Sequence, residues 1–517
     1  MPPRGHAKPA RPKRTRADPA RGVAFKVLSA VAERDAYANL LLPALLRDSG
    51  LTGRDAALAT ELAYGTLRGQ GSYDAILAIC SDRDLDRIDP PLRPVLRLGA
   101  HQLLATRIGA HAAVATSVDL ARDVAGPRPA GFVNAVLRRV ATRDFESWLE
   151  IAAPSRAEDI VGHLSIRYSH PRWIVSALAD ALAESPESGL AETEAALAAG
   201  GERPRVTLCA VPGLADPAEL VAAGAEPGRW SPYAAALAEG DPAQVPAVGQ
   251  GRAAVQDEAS QLAALALARV DAPGNGAGLA GARWLDVCAG PGGKARLLAA
   301  LAGASGARLL AADVRPHRAR LLQTALAKAA QAQGAALAAA ARDPAVAGAV
   351  QAQGAAVADA ARDPAVAGAA QDVAAVVAAD GTVPAWRPGT FGRVLADVPC
   401  SGLGALRRRA EARWRRTPDD VTALVPVQRA LLDAALDSAA PDGVVAYVTC
   451  SPHVAETRDV VTAVLAGRDD VQVLDAPAVL PEVPGLRCPE PHGAFAQFWP
   501  HRHGTDAIFL ALLRRTG

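Results

Sequence analysis

Leu285-Asp286-Val287-Cys288-Ala289-Gly290-Pro291-Gly292-Gly293-Lys294 passes from a short apolar run through a glycine-rich turn into a helical pattern. A turn of this kind carries the backbone close to a ligand at a helix N-terminus, where unpaired N–H groups favour an anion. The spacing is not the dinucleotide fingerprint G-x-G-x-x-G, because Pro291 and the Gly292-Gly293 pair break it. It also lacks the Gly-Lys-Ser/Thr ending of a phosphate-binding loop. The ligand it suits carries a carboxylate rather than a diphosphate.

Around this stretch, apolar runs alternate with helical patterns: Trp284 to Val287, Leu309 to Ala312, Val373 to Ala378, Val394 to Ala396 and Val444 to Val448. That alternation predicts an α/β domain with a Rossmann-like, doubly wound and mostly parallel sheet, over residues 246–517. Asp313 closes the second run, about 20 residues beyond the loop, where a carboxylate can accept both hydroxyls of a ribose. Asp380 follows the third run and is placed to meet an adenine amino group. Together with the loop they point to a nucleoside cofactor with a free carboxylate, such as S-adenosylmethionine. One stretch interrupts the pattern: Gln331 to Val350 is repeated almost residue for residue as Gln351 to Ala370. A βαβ unit needs only about 30 residues, so the tandem copy, 331–370, reads as an insertion of short surface helices between the second and third strands.

Two cysteines fall at the ends of later strands. Ala396-Asp397-Val398-Pro399-Cys400-Ser401-Gly402-Leu403-Gly404 follows the fourth, and Tyr447-Val448-Thr449-Cys450-Ser451 ends the fifth. Ligands of parallel sheets bind outside the carboxyl ends of the strands, so both thiols are expected at one site. A lone cysteine is ordinarily a small buried hydrophobe. Two in tight polar turns beside a cofactor loop point instead to chemistry.

The N-terminal part reads differently. Ala24, Val27, Leu28 and Val31 keep the spacing of one buried helical face, and similar stretches recur between breakers up to about Arg139. An all-helical domain is predicted over 21–145. Residues 146–245, with Tyr168, Trp173 and the run Val206 to Leu208, read as a small α+β connector. Ahead of them, the basic residues Arg4 to Arg21 lie among Pro and Gly and read as a disordered arm over 1–20, suited to phosphates or simply to solubility.

Composition sets outer limits. A chain of 517 residues exceeds one core,. Net charge is +1, which argues neither for nor against nucleic acid,. No apolar run reaches the roughly 18 residues of a membrane span, and no signal-peptide core opens the sequence, so a cytoplasmic protein is expected. The six cysteines are too scattered for a disulfide framework,. Cys488, His492, His501 and His503 match no standard zinc spacing, so no metal is expected.

These motifs carry a resemblance. Gln256 to Leu262, the loop Cys288 to Lys294, the turn Asp397 to Gly404 with Arg407, Arg408, Trp414 and Arg415 behind it, and Thr449-Cys450-Ser451 resemble the Sun family of RNA cytosine-5 methyltransferases. Ala59 to Arg68, Leu96 to Gly99 and Gly131 to Arg139 resemble the NusB-like RNA-binding domain that precedes the catalytic part in the branch acting on 16S ribosomal RNA. The resemblance covers nearly everything except the arm and the insertion. Gly290 stands where the family usually has Ala, Ala410 where Pro is frequent, and Thr457 where Asn is common.

The resemblance implies a mechanism and a division of roles. Carbon 5 of cytosine is too weak a nucleophile to take a methyl unaided, so a thiolate first adds to carbon 6. Cys450 matches the family's nucleophile and Cys400 the thiol that helps release the adduct. Asp397 is the candidate contact to the cytosine ring, or to the cofactor. The cofactor, S-adenosylmethionine, would be held by Cys288, Ala289, Gly290, Pro291, Gly292, Gly293, Lys294, Asp313, Asp380 and Asp397. Arg407, Arg408, Arg413, Trp414 and Arg415 are expected to line an RNA channel, guanidinium groups for phosphates and an indole for stacking. The partner is ribosomal RNA, with no membrane or metal, and the enzyme is expected to act as a monomer. A transfer RNA substrate, or a catalytically silent ribosome-assembly factor, are the readings left open.

Overall fold

Helical spacing in the N-terminal third becomes a bundle because each helix has one apolar stripe and a clear start. Asp18 caps the helix Pro19–Arg34 by accepting from the Arg21 N–H, with Pro19 at its first position,. Arg21, read in sequence as part of the disordered arm, is instead buried: its Nε donates to Gln102 Oε1 at 2.7 Å. The computed structural model describes residues 18–183, 186–238, 240–270, 282–340 and 374–517. Residues 18–20 of the basic arm thus open a helix rather than staying disordered; residues 1–17, and the insertion beyond Ala340, lie outside the described residues.

The chain forms two units. One comprises the residues up to Val175 together with Arg408–Trp414, and the other comprises Ser176–Arg407 and Arg415–Gly517. The first unit is all-helical, with Leu92–Ala105 at its centre between Gly53–Arg68, Ala110–Ala125 and Ala130–Val140. Leu62, Val95, Leu96, Leu98, Val133 and Leu137 are fully buried in one core. Most of the residues that resemble the NusB-like domain therefore serve packing.

The second unit holds two sheets. Strands β1 (Val206–Ala210), β2 (Ala225–Pro227), β3 (Ala234–Leu237) and β4 (Ala253–Val255) form a small antiparallel sheet in the order β2-β3-β1-β4. It extends the mixed α/β segment read in sequence past residue 245. The larger sheet contains β5 (Arg283–Asp286), β6 (Arg308–Asp313), β7 (Ala374–Ala378), β8 (Phe391–Asp397), β9 (Ala439–Thr449), β10 (Val471–Leu474), β11 (Ala496–Gln497) and β12 (Phe509–Arg515). Its order is β10-β12-β9-β8-β5-β6-β7, with β11 beside β12.

The pairs from β7 to β9 are parallel, and β12 runs antiparallel to β9. Helices on both faces bury the central strands twice over, which explains their unbroken apolar runs. The doubly wound fold expected from the alternation is present. The antiparallel edge was not foreseen: β10 and β11 are only four and two residues long, and nothing in the apolar run of β12 tells an antiparallel strand from a parallel one. The order reverses between β5 and β8, and this places the carboxyl ends of β5, β8 and β9 side by side.

Candidate active site

Each of those strand ends delivers one of the sequence motifs. The loop after β5 stays tied to the sheet, since Val287 N–H donates to Leu395 O at 3.0 Å and Ala289 N–H to Ala312 O at 2.8 Å. Gly292 then takes φ +113°, a backbone conformation open to glycine and costly for other residues,. It caps the helix Gly293–Ala304 with no side-chain acceptor, leaving first-turn N–H groups available to a ligand,. Lys294, on that first turn, donates from Nζ to Asp397 Oδ2 at 2.9 Å. Burial disfavours the ammonium, but the charge and hydrogen bond of Asp397 outweigh it and hold the Lys294 pKa above its ordinary value,.

The turn after β8 meets the end of β9. Cys400 Sγ and Cys450 Sγ lie 3.2 Å apart, both partly buried. Gly404 N–H donates to Cys450 O at 2.9 Å, and its own carbonyl accepts from Ala507 at 2.9 Å, so the turn is stitched to both neighbouring segments. The two thiols are not equivalent. Hydrogen bonding to Cys450, burial, and the charges of Cys450 and Glu456 push Cys400 well above the ordinary thiol value. Lys294, in contrast, has Cys450 among the charges that act on it. Burial and the facing Cys450 sulfur thus disfavour a thiolate at Cys400,.

The remaining expected ligands fall nearby in the chain's order. Asp313 is buried; its Oδ2 accepts from Gly290 N–H at 3.2 Å and its Oδ1 from Arg315 N–H at 2.8 Å. Asp380 is exposed after β7, and its Oδ1 accepts from the N–H and hydroxyl of Thr382. Cys288 is pushed well above the ordinary thiol value by burial and by Asp286, Asp397 and Asp313.

Asp286 was quoted in the loop motif but not singled out, and it proves the most perturbed carboxylate there. It is fully buried, its Oδ2 has no hydrogen-bond partner, and burial with Asp397 pushes it from 3.8 up to about 8. Its position as the last residue of a doubly buried strand was the available signal. Between about pH 4 and 8 the folded chain keeps a proton on Asp286 that the unfolded chain has lost, so stability falls as pH rises through that window. Asp286→Asn is expected to flatten this decline and to add about 1 to 2 kcal/mol at pH 8. Thermal melting of both proteins from pH 5 to 8 checks it, and parallel curves would contradict it.

The arginine-rich segment requires a correction. Arg413, expected to face phosphates, is fully buried, and its Nη1 donates to the carbonyls of Arg68 at 3.1 Å and Ser169 at 3.3 Å. Trp414 meets Gly71 with the edge of its ring but stays exposed, so the expectation of an indole open to stacking stands untouched, and Glu411 accepts from Ala38 N–H. Arg407 is also engaged: Nε to Asp506 Oδ1 at 2.7 Å, Nη1 to Gly504 O at 2.8 Å and Nη2 to Asp257 Oδ2 at 3.0 Å. Arg408 and Arg415 are partly exposed. Dense arginine reads as a basic face, but a sequence does not display the carbonyls and carboxylates that converge on it.

Among the described residues no His/Cys/Asp/Glu group is arranged for a metal, and no helix is long and apolar enough to cross a membrane. His501 bonds Glu192 at 2.9 Å and His503 the Pro484 carbonyl at 3.0 Å.

Residues 354–514 match the family described as 16S rRNA methyltransferase RsmB/F, and residues 18–142 match the NusB family. The Ribosomal RNA small subunit methyltransferase B of Pseudomonas putida is 32% identical over 498 residues, 95% of this chain and 97% of its own. The chain belongs to the RsmB/F family. A Mycobacterium tuberculosis protein whose name gives it as a methyltransferase, without a substrate, is 45% identical over 98% of both chains. This RsmB/F chain also shares its fold with the crystal structure of PH0851, at a TM-score of 0.70 over 97% of this chain and all of the other, with 18% identity. It is thus a methyltransferase-family protein with a helical NusB domain in front of a mixed-sheet catalytic domain.

Proposed function

We propose that this chain transfers a methyl group from S-adenosylmethionine to carbon 5 of a cytosine in 16S ribosomal RNA, through a covalent adduct between Cys450 and carbon 6. The observation that carries the reading is the pair of thiols 3.2 Å apart at the ends of two parallel strands, beside the Lys294–Asp397 pair. Methyl transfer to an amino or hydroxyl group needs no such pair. Both thiols being present also argues against a silent assembly factor.

The residues fit the cofactor. The Gly290 turn lies against the Asp313 carboxylate, on which a side chain there would press, and the buried Asp286 Oδ2 of the same loop lacks a hydrogen-bond partner. The Cys288–Lys294 turn and the following helix start would hold the cofactor's carboxylate, Asp313 its ribose and Asp380 its adenine. Bound there, it supplies an electrophilic methyl on a sulfonium.

The protein's own part begins with Cys450, whose thiolate is favoured by Lys294 and adds to carbon 6. Asp397, with one oxygen on Lys294, offers the other to the ring edge bearing nitrogen 3 and the amino group,. Once the methyl is on carbon 5, the carbon 5 proton passes to a water molecule acting as base, the electrons of that C–H bond form the carbon 5–carbon 6 double bond, and the carbon–sulfur bond breaks with its electron pair going to Cys450. Cys400, adjacent to the departing sulfur, aids that step by donating its thiol hydrogen to it. The base must leave its stack to reach the thiols, which favours a loop or unpaired stretch of RNA.

Methyl-labelled cofactor with unmodified 16S ribosomal RNA and, in parallel, unmodified transfer RNA, followed by nuclease digestion, tests the reading. Label is expected in 5-methylcytidine. Label in another nucleoside would contradict the chemistry, and label in transfer RNA alone would contradict the substrate. Asp313→Ala is expected to weaken cofactor binding by about 1.5 to 3 kcal/mol, the worth of a charged hydrogen bond, with RNA affinity unchanged. Calorimetry with each ligand checks this, and equal cofactor affinity would reject the assignment.

A further inference from the structure

The two thiols are held by unequal means. Cys450 directly follows β9, whose final residues are locked between β8 and β12: Val448 pairs with Asp397 on one side and Leu510 on the other. Cys400 lies in a turn beyond β8, and a buried carboxylate that neither the sequence motifs nor the proposed cycle employs secures its neighbours. Glu456 ends the short turn Val454–Glu456 and is fully buried.

Its Oε1 accepts from the Ser401 N–H at 2.7 Å and from Gln428 Nε2 at 3.1 Å, and its Oε2 accepts from the Ser401 hydroxyl at 2.5 Å. Gln428 Nε2 also donates to the Pro399 carbonyl at 2.9 Å. The residues before and after Cys400 are therefore both gripped from one point. On the opposite side, Ser401 Oγ lies 3.2 Å from Ser451 Oγ, the residue after Cys450, and the Tyr447 hydroxyl donates to the Glu456 carbonyl at 2.7 Å. The same carboxylate is among the charges that push Cys400 upward.

We propose that Glu456 is the positioning residue of the thiol pair, its buried carboxylate fixing the Cys400 turn against the Cys450 turn so that Cys400 is aligned for adduct release. The inference rests on the covalent cycle proposed above. Attack by Cys450 depends on β9 and Lys294, and release depends on the Cys400 turn, so loss of Glu456 separates the two steps. A carboxylate suits the position because it accepts from three donors in a site that excludes water.

The test uses the full chain with unmodified 16S ribosomal RNA and cofactor, comparing Glu456→Gln and Ser401→Ala with Cys400→Ala as reference. Both new variants are expected to transfer methyl in a single turnover within about twofold of the parent, and to release the adduct about ten- to a hundredfold more slowly, as misplacement of a reacting group does. Glu456→Gln also removes a charge facing Cys400, so the pH profile of release moves to lower pH. Ser401→Ala keeps that charge, so release slows without the profile moving.

Release at the parental rate in Glu456→Gln, while Cys400→Ala traps its adduct, would overturn the positioning role and leave the cycle standing. Transfer and release lost in equal measure in both variants would make Glu456 a general structural residue and overturn it as well. Absence of a trapped adduct even in Cys400→Ala would overturn the cycle, and the proposal with it.

Discussion

Cys450→Ala is expected to abolish methyl transfer, a fall of at least about 10⁴-fold, and to bind RNA only reversibly. Cys400→Ala is expected to fail in the opposite way. The nucleophile still attacks and the methyl still arrives, but elimination slows, so protein linked to methylated RNA accumulates. The structure gives the asymmetry a cause: the contact with Cys450, burial and Glu456 disfavour a thiolate at Cys400, whereas Cys450 interacts electrostatically with Lys294. The observable is a retarded band on a denaturing gel, dependent on cofactor and absent when Cys450 is also replaced. A retarded band from Cys450→Ala alone would reverse the two roles.

The second large effect is one of stability. Arg413→Ala strands the carbonyls of Arg68 and Ser169, which are its acceptors, and empties the space of a fully buried side chain. The expected loss is about 3 to 5 kcal/mol, or on the order of 10 °C in melting temperature. The contrary expectation, from reading Arg413 as a phosphate contact, is an unchanged melt with a salt dependence of RNA binding reduced by about one unit of slope. Calorimetry of the full chain distinguishes them directly. A melt within 2 °C or so of the parent would restore Arg413 to the RNA-binding group.

The contrast between these residues shows what the sequence made legible. Cys288 to Lys294, Asp397 to Gly404 and Thr449 to Ser451 could be assigned to one edge because parallel strands are apolar on both faces and end abruptly in polar turns. Helical periodicity likewise marked the first unit. Partners distant in sequence were not readable. Arg413 finds its acceptors more than 240 residues away, Arg407 reaches Asp257, and Arg21 reaches Gln102. Nothing local separates such arginines from solvated ones. Asp286 and Glu456 were hidden for a related reason, since an acidic residue at a strand or turn end has a bland local explanation until its burial is known. The short antiparallel strands β10 and β11 carry too few residues for a period to show.

The covalent claim is tested most directly by mapping the adduct that Cys400→Ala traps. After digestion with protease and nuclease, mass spectrometry is expected to find one cytidine nucleotide, carrying one added methyl, attached to the peptide that contains Cys450. A nucleotide attached at any other residue, or one lacking the methyl, would contradict attack by Cys450 at carbon 6 followed by transfer to carbon 5.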